Sequence, residues 1–161
     1  MKKITVVLFF IGTFVANAQK YDEIKLDVFD ILALKTLDVS YERVLNTESS
    51  FGLSLLFNFE NSVSFRYKED FVLTPYYRQF LLESGNVNFF GEVFGAFSKG
   101  NDDHSESGDY TDFAFGLGFG GKYLSEMGFI IDINVGVGRN LFNNTSPEVL
   151  FRGGISIGKQ F

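Results

Sequence analysis

The chain has no cysteine, no tryptophan, one histidine and two prolines. Without cysteine it can form no disulfide, even in an oxidising compartment, and cleavage of a leader can leave no lipidated cysteine. His104 is the one imidazole available to acid–base chemistry. Beyond residue 18 no apolar run approaches the ~20 residues that a membrane-spanning helix needs. That excludes a helical membrane protein but leaves open a barrel, whose strands need only ~9–11 residues each. Positive charge is also in short supply: 14 Lys and Arg stand against 20 Asp and Glu, a formal net charge of −6. An acidic chain argues against nucleic acid, which calls for a basic face.

What is present begins with a basic pair, Lys2 and Lys3, followed by an apolar run over 4–15 and the small-x-small sequence Ala16-Asn17-Ala18. This is the pattern of a secretory signal peptide over residues 1–18. Its removal would take both lysines and leave 19–161 as one domain, two charges more acidic. Phenylalanine (21) and glycine (17) are abundant, and they recur in a fixed order. In "FIIDINVGVGR" (129–139), Phe129, Ile131, Ile133, Val135 and Val137 alternate with Asp132, Asn134, Gly136 and Gly138. Period two is the signature of a strand with two unlike sides.

The same alternation runs through "FGLSLLFNFE" (51–60), where Leu56 is an exception, through "DFAFGLGFGGKY" (112–123), and through 149–161. Weaker segments at about 22–32, 36–45, 71–82 and 87–99 bring the expected strands to eight. "FDILALKTLDV" also reads as a short helix. Pro75 would interrupt a ladder and is therefore expected near a rim, not at mid-strand. Short polar turns (46–50, 83–86, 125–128) alternate with longer connections (61–70, 99–110, 140–147). A membrane barrel has this asymmetry because its turns are tight on one side and its loops grow on the other. The connection near 33–36 is unusually short for the long side.

The expected fold is thus all-β, an eight-stranded antiparallel up-and-down transmembrane β-barrel over residues 19–161. Its polar face is rich in Gly, Ala, Ser and Asn, not in the Lys and Glu of a soluble surface, and small residues suit the narrow inside of eight strands. With the apolar face outward, Glu42, Arg78, Glu92, Lys122, Asp132 and Arg152 point inward from six strands. Buried charges are tolerable when paired, so these six are expected to form an interior network. "GLGFGGKY" (116–123) contains G-x-G-x-x-G and nearly a phosphate loop, with Tyr123 where Ser or Thr should stand. Both matches are accidents of alternation, since a nucleotide loop needs a helix after it and here a turn leads into another strand.

The chain end "FRGGISIGKQF" resembles the β-signal of bacterial outer-membrane proteins, which the barrel-assembly machinery recognises. That resemblance implies an assembly role for Ile155, Ile157 and Phe161, with Lys159 a rim residue on the lipid face. The whole pattern looks like the small OmpA/OmpX-type barrels. "LDVSYERVL", "LTPYYRQF", "GDYTDFAFGLGFGGKY", "INVGVGRNLF" and "RGGISIGKQF" resemble an uncharacterised family of small outer-membrane barrels in Bacteroidota. The resemblance implies location in the cell outer membrane, with lipid and lipopolysaccharide as surroundings and no established activity or cofactor.

Function is expected to be non-enzymatic: a structural or interaction protein with a plugged interior, since eight strands leave no aqueous channel, and with loops as contact sites. An envelope protein or external ligand is a further possible partner. The acidic loop carries Asp102, Asp103, His104, Glu106 and Asp109. A catalytic His104 with Ser105 or Ser107 lacks a rigid scaffold, and a calcium site lacks the spacing of known loops, so a solvated contact loop is preferred. Two other readings are a membrane-embedded lipid-modifying enzyme, which would need a polar cluster facing lipid, and a soluble lipocalin-like binder with its faces inverted.

Overall fold

The computed structural model describes residues 21–59, 69–101, 109–142 and 148–161. The expected signal peptide, residues 1–18, lies outside them. The strands are β1 (Tyr21–Asp27), β2 (Thr36–Asn46), β3 (Ser49–Asn58), β4 (Glu69–Ser84), β5 (Val87–Asn101), β6 (Asp109–Leu124), β7 (Phe129–Asn140) and β8 (Val149–Gln160). Each pairs antiparallel with its sequence neighbour, and β1 pairs with β8, closing an eight-stranded up-and-down barrel. Closure removes the sheet edges that would otherwise expose unpaired backbone groups.

Three tight turns join β2–β3, β4–β5 and β6–β7 at one end, and Gly85 and Gly128 take positive φ in two of them. The long connections gather at the other end. Both ends of the closing pair also lie on the tight-turn side, where Phe161 exchanges backbone hydrogen bonds with Asp22 at 2.9 and 3.1 Å.

Two local readings are corrected. β1 was expected to run to about residue 32, but it stops at Asp27 and a helical turn of π type follows at Asp30–Leu34. The Asp27 carboxylate accepts the Asp30 N–H at 2.9 Å, and Lys35, at φ 53°, donates its backbone N–H to the Asp30 carbonyl to end the turn. The helical reading of "FDILALKTLDV" thus holds for its first half, Asp30–Leu34, and β2 begins at Thr36. Pro75 lies well inside β4, not at a rim. It keeps its place opposite Leu53 of β3, whereas pairing with β5 is interrupted at Thr74 and Pro75 and resumes in the same register at Tyr76. The missing N–H is absorbed by a gap on one side of the strand only.

The wall sorts side chains by alternation. Phe115, Leu117 and Phe119 of β6, and Ile131, Ile133, Val135 and Val137 of β7, are all exposed on the outer face. Glu23, Lys25, Glu42, Arg78, Lys122 and Asp132 are almost fully buried inside. At the long-connection end a row of aromatics circles the outside: Phe57 faces Phe71 with ring centroids 5.3 Å apart, and Phe97 pairs with Phe113. Nearer the turns the outer aromatics include Tyr41, Tyr77 and Tyr123, with Phe51, Phe89 and Phe129 among them. The ten steps from Phe113 to Tyr123 on one tilted strand span ~25 Å along the barrel axis.

Candidate functional site in the barrel lumen

The lumen is built by strands that each present every second residue inward. β1 contributes Glu23, Lys25 and Asp27; β2 contributes Glu42; β4 contributes Tyr76 and Arg78; β5 contributes Phe90, Glu92 and Phe94; β6 contributes Lys122; β7 contributes Asp132; β8 contributes Arg152. Glu42 is the hub, with no exposed surface. Its Oε2 accepts from Lys25 Nζ at 2.5 Å, Arg78 Nη1 at 3.0 Å and the Tyr76 hydroxyl at 3.2 Å. Its Oε1 accepts from Lys122 Nζ at 2.5 Å and the Ser50 hydroxyl at 2.6 Å.

The remaining charges complete a connected network. Asp132 Oδ2 accepts from Lys25 at 2.9 Å and Arg78 at 2.5 Å. Glu23 accepts from Lys122 at 2.7 Å. Glu92 receives Arg78 Nε at 2.7 Å and lies 3.1 Å from Arg152 Nη1. The guanidiniums also stack: Arg78 lies 4.0 Å from the Phe90 centroid and 4.7 Å from that of Tyr76, and Arg152 lies 4.7 Å from Tyr76 and 5.6 Å from Phe94. Phe90, Arg78, Tyr76, Arg152 and Phe94 therefore form one column of alternating rings and cations, favourable in a desolvated space.

The glycines make room for that column. On the lumenal face Gly116 pairs directly with Gly138, and Gly118 with Gly136. A Cβ on Gly116 would run into the Phe94 ring and come 2.6 Å from the Val137 carbonyl, and one on Gly120 would meet the Phe90 ring at 2.6 Å. The bare wall of β6 and β7 is the shelf on which the aromatics of β5 rest. "GLGFGGKY" accordingly ends in Lys122, which binds Glu23 and Glu42, and in the outer-face Tyr123.

All six lumenal residues named from the sequence lie in this network, Arg152 at its margin with 13% of its side chain exposed. Sequence reasoning missed Glu23, Lys25 and Tyr76. The first two had a visible signal, since Glu23, Lys25 and Asp27 alternate with Ile24 and Leu26. Tyr76, Phe90 and Phe94 had none, because an inward aromatic is identified by the glycines it faces across the barrel. Ile155 and Ile157 are exposed on the outer wall, and Phe161 is exposed at its end. Lys159 lies outside as well, 5.7 Å from the Phe129 ring centroid. Asp102, Asp103, His104 and Glu106 lie outside the described residues. Asp109 opens β6 opposite Asn101, its side chain outside them too.

No group of side chains able to hold a metal ion occurs among the described residues. Above the charge layer, Leu56, Val72, Leu150, Ala96 and Ala114 form an apolar cluster with Tyr76 and Phe94. A cavity of about 40 Å³ remains beside Asp27, Asp38 and Arg152, the scale of one or two waters.

These features define a class: a closed eight-stranded antiparallel barrel with an apolar exterior and a charge-paired, aromatic-filled lumen. The fold is similar to that of the N-terminal β-barrel domain of Pseudomonas aeruginosa OprF, at TM-score 0.63 and 13% identity over 88% of this chain and 96% of that one. It is also similar to Neisserial surface protein A, at TM-score 0.54 and 12% identity over 88% and 95% of the two chains. No family model matches the chain. No curated protein matches it in sequence.

Proposed function

We propose that this chain is a non-enzymatic barrel of a Gram-negative outer membrane, a structural and interaction protein with a closed lumen. The carrying observation is the inversion of its faces. Charged side chains are buried inside, while Phe, Ile, Leu and Val cover the outside between two aromatic levels. In water that exterior would be an aggregation surface, whereas in a bilayer it matches the hydrocarbon thickness. The face order also argues against the soluble lipocalin-like reading. Residues 1–18 would be removed on export, and the segment ending at Phe161, with Ile155 and Ile157, would be read by the barrel-assembly machinery. The long connections would face outward, beside lipopolysaccharide, and carry contacts with an envelope protein or external ligand.

The test is fractionation of the cell envelope. The chain is expected in the outer-membrane fraction, released only by detergent, with faster gel migration unheated than boiled and with Gln19 as its first residue. Recovery in the soluble periplasmic fraction would refute the reading. Reconstituted in planar bilayers, the barrel is expected to show no stepwise conductance, because the ring–guanidinium column and its carboxylates fill the section. Stable unitary steps would remove the closed-lumen part of the proposal and leave the membrane part standing.

A further inference from the structure

Below the charge layer, the lumen opens into a vestibule of about 560 Å³ at the tight-turn end. The Lys122–Glu23 ion pair, 2.7 Å apart, forms its floor, and Val44, Phe80 and Leu124 form its apolar sides. On the membrane reading above, its mouth faces the periplasm.

One wall of the vestibule is shaped by a bulge. From Tyr76 to Phe80, β4 turns its even-numbered residues inward. Between Phe80 and Glu83 it takes three steps while β5 takes two, from Phe90 to Asn88. A bulge of this kind re-aims the side chains beyond it. Leu81 and Leu82 both stay exposed outside, and Glu83, which regular alternation would turn to the outer wall, lines the vestibule. Asn88 stands directly opposite Glu83, on the same inner face of β5 as Phe90 and Glu92. Neither the Glu83 carboxylate nor the Asn88 amide bonds to a described residue. Among the described residues the charges lining the vestibule are Glu23, Glu83 and Lys122, and Glu23 and Lys122 offset each other.

Directly opposed side chains on neighbouring strands have Cβ atoms ~5 Å apart, so a carboxylate and an amide oxygen converge at the mouth. A primary ammonium has three N–H donors. It can bond to both oxygens and keep the third donor for water. A quaternary ammonium has no hydrogen to donate, and an anion would meet the uncompensated Glu83. A hard metal ion takes ~6–8 oxygens, more than this pair supplies. We infer that the vestibule is a binding site for a small aliphatic amine, its primary ammonium held between Glu83 and Asn88 and its stem lying along Phe80 and Leu124. The site belongs to the lumen; only the supply of amine from the periplasm rests on the membrane reading.

Amide NMR titration of the refolded chain in nonionic detergent provides the test. The probes share one stem and differ in head group: n-pentylammonium, pentyltrimethylammonium, pentanol and pentanoate. n-Pentylammonium is expected to produce saturable shifts at Glu83, Asn88 and Leu124. The other probes should bind about tenfold more weakly, the contribution of one charge-assisted hydrogen bond. Glu83→Gln should weaken n-pentylammonium by a similar factor and Asn88→Leu by less. Glu126→Gln, in the β6–β7 turn outside the vestibule, should leave its binding unchanged. Heat-modifiable migration checks that each variant is still a barrel. Equal binding of n-pentylammonium and any other probe would overturn the inference. So would n-pentylammonium binding that survives Glu83→Gln, or no saturable shift with any probe. Each of these results in an intact barrel leaves the membrane reading standing, whereas recovery from the soluble periplasm removes that reading and not the site.

Discussion

Replacing Glu42 with Ala is expected to destabilise the folded barrel by about 3–5 kcal/mol, the cost of removing one partner from a buried ion network. Five donors converge on that carboxylate, from Lys25, Arg78, Lys122, Ser50 and Tyr76. Its loss leaves three buried cations facing Glu23, Glu92 and Asp132, with two hydroxyls stripped of their acceptor. Coulomb attraction between the remaining partners cannot replace it, because Lys25, Arg78 and Lys122 are almost fully buried and a buried charge short of partners is costly. Urea unfolding in lipid vesicles, followed by the gel shift between folded and unfolded forms, would measure the effect. Glu42→Met combined with Lys25→Met should lose less than the two single changes summed, because the pair is removed together. Arg43→Ala provides the contrast: the Arg43–Asp22 pair is 49% and 27% exposed, and its loss should cost under ~1 kcal/mol. A Glu42→Ala barrel as stable as the native one would mean that the lumen is wet and that the ion network does not hold the fold.

Gly116→Val is expected to prevent formation of the heat-modifiable barrel, and Gly120→Val to do the same. Overpacking a filled interior costs ~1–3 kcal/mol where side chains can shift, but these positions leave little to shift. An added Cβ at Gly116 meets the Phe94 ring on one side and the backbone of Val137 and Gly138 on the other. At Gly120 it meets Phe90 and the backbone of Ile133 and Asn134. Gly121, the next residue, points outward, and the nearest atoms to its added Cβ are on the Phe89 ring at 3.6 Å, an ordinary contact. Gly121→Ala should therefore fold as the native chain does, and neighbouring glycines with opposite outcomes would report the alternation directly. Gly52 provides a second contrast, since the three atoms nearest its added Cβ all belong to the Tyr76 side chain. Truncating Tyr76 should relieve a Gly52→Ala clash, whereas truncating Phe94 should not fully relieve Gly116→Val. Normal folding of Gly116→Val would show that the lumen is looser than the glycine shelf implies.

The sequence was most readable where one side chain in two decides the face. "FIIDINVGVGR" and "DFAFGLGFGGKY" place their phenylalanines, isoleucines and glycines as the barrel does, because strand periodicity is a local property of the backbone. Glu42, Arg78, Glu92, Lys122, Asp132 and Arg152 followed from the same rule, once the glycine-rich face was taken as the narrow inside. It was least readable around Asp27, where Asp30–Leu34 turns as a helix in place of more strand. That choice depends on the Asp27 carboxylate capping Asp30 and on Asp30 being drawn into the lumen, neither of which a period-two pattern records. Pro75 misled for a related reason: a strand with two neighbours can lose pairing on one side and keep the other.

Alternation, turn spacing and the acid–glycine inner face by themselves determined that this chain makes eight strands with unlike sides, because each is set by residues adjacent in sequence. Only the tertiary structure decided which charges meet. Glu42 and Lys122 are eighty residues apart and Lys25 and Asp132 more than a hundred, yet each pair is in direct contact. Register around the closed barrel brings them to one level, and no local pattern encodes that level. The same closure chose which aromatics turn inward, since Phe90 and Phe94 lie inside only because glycines on β6 and β7, two separate strands, leave the volume for their rings.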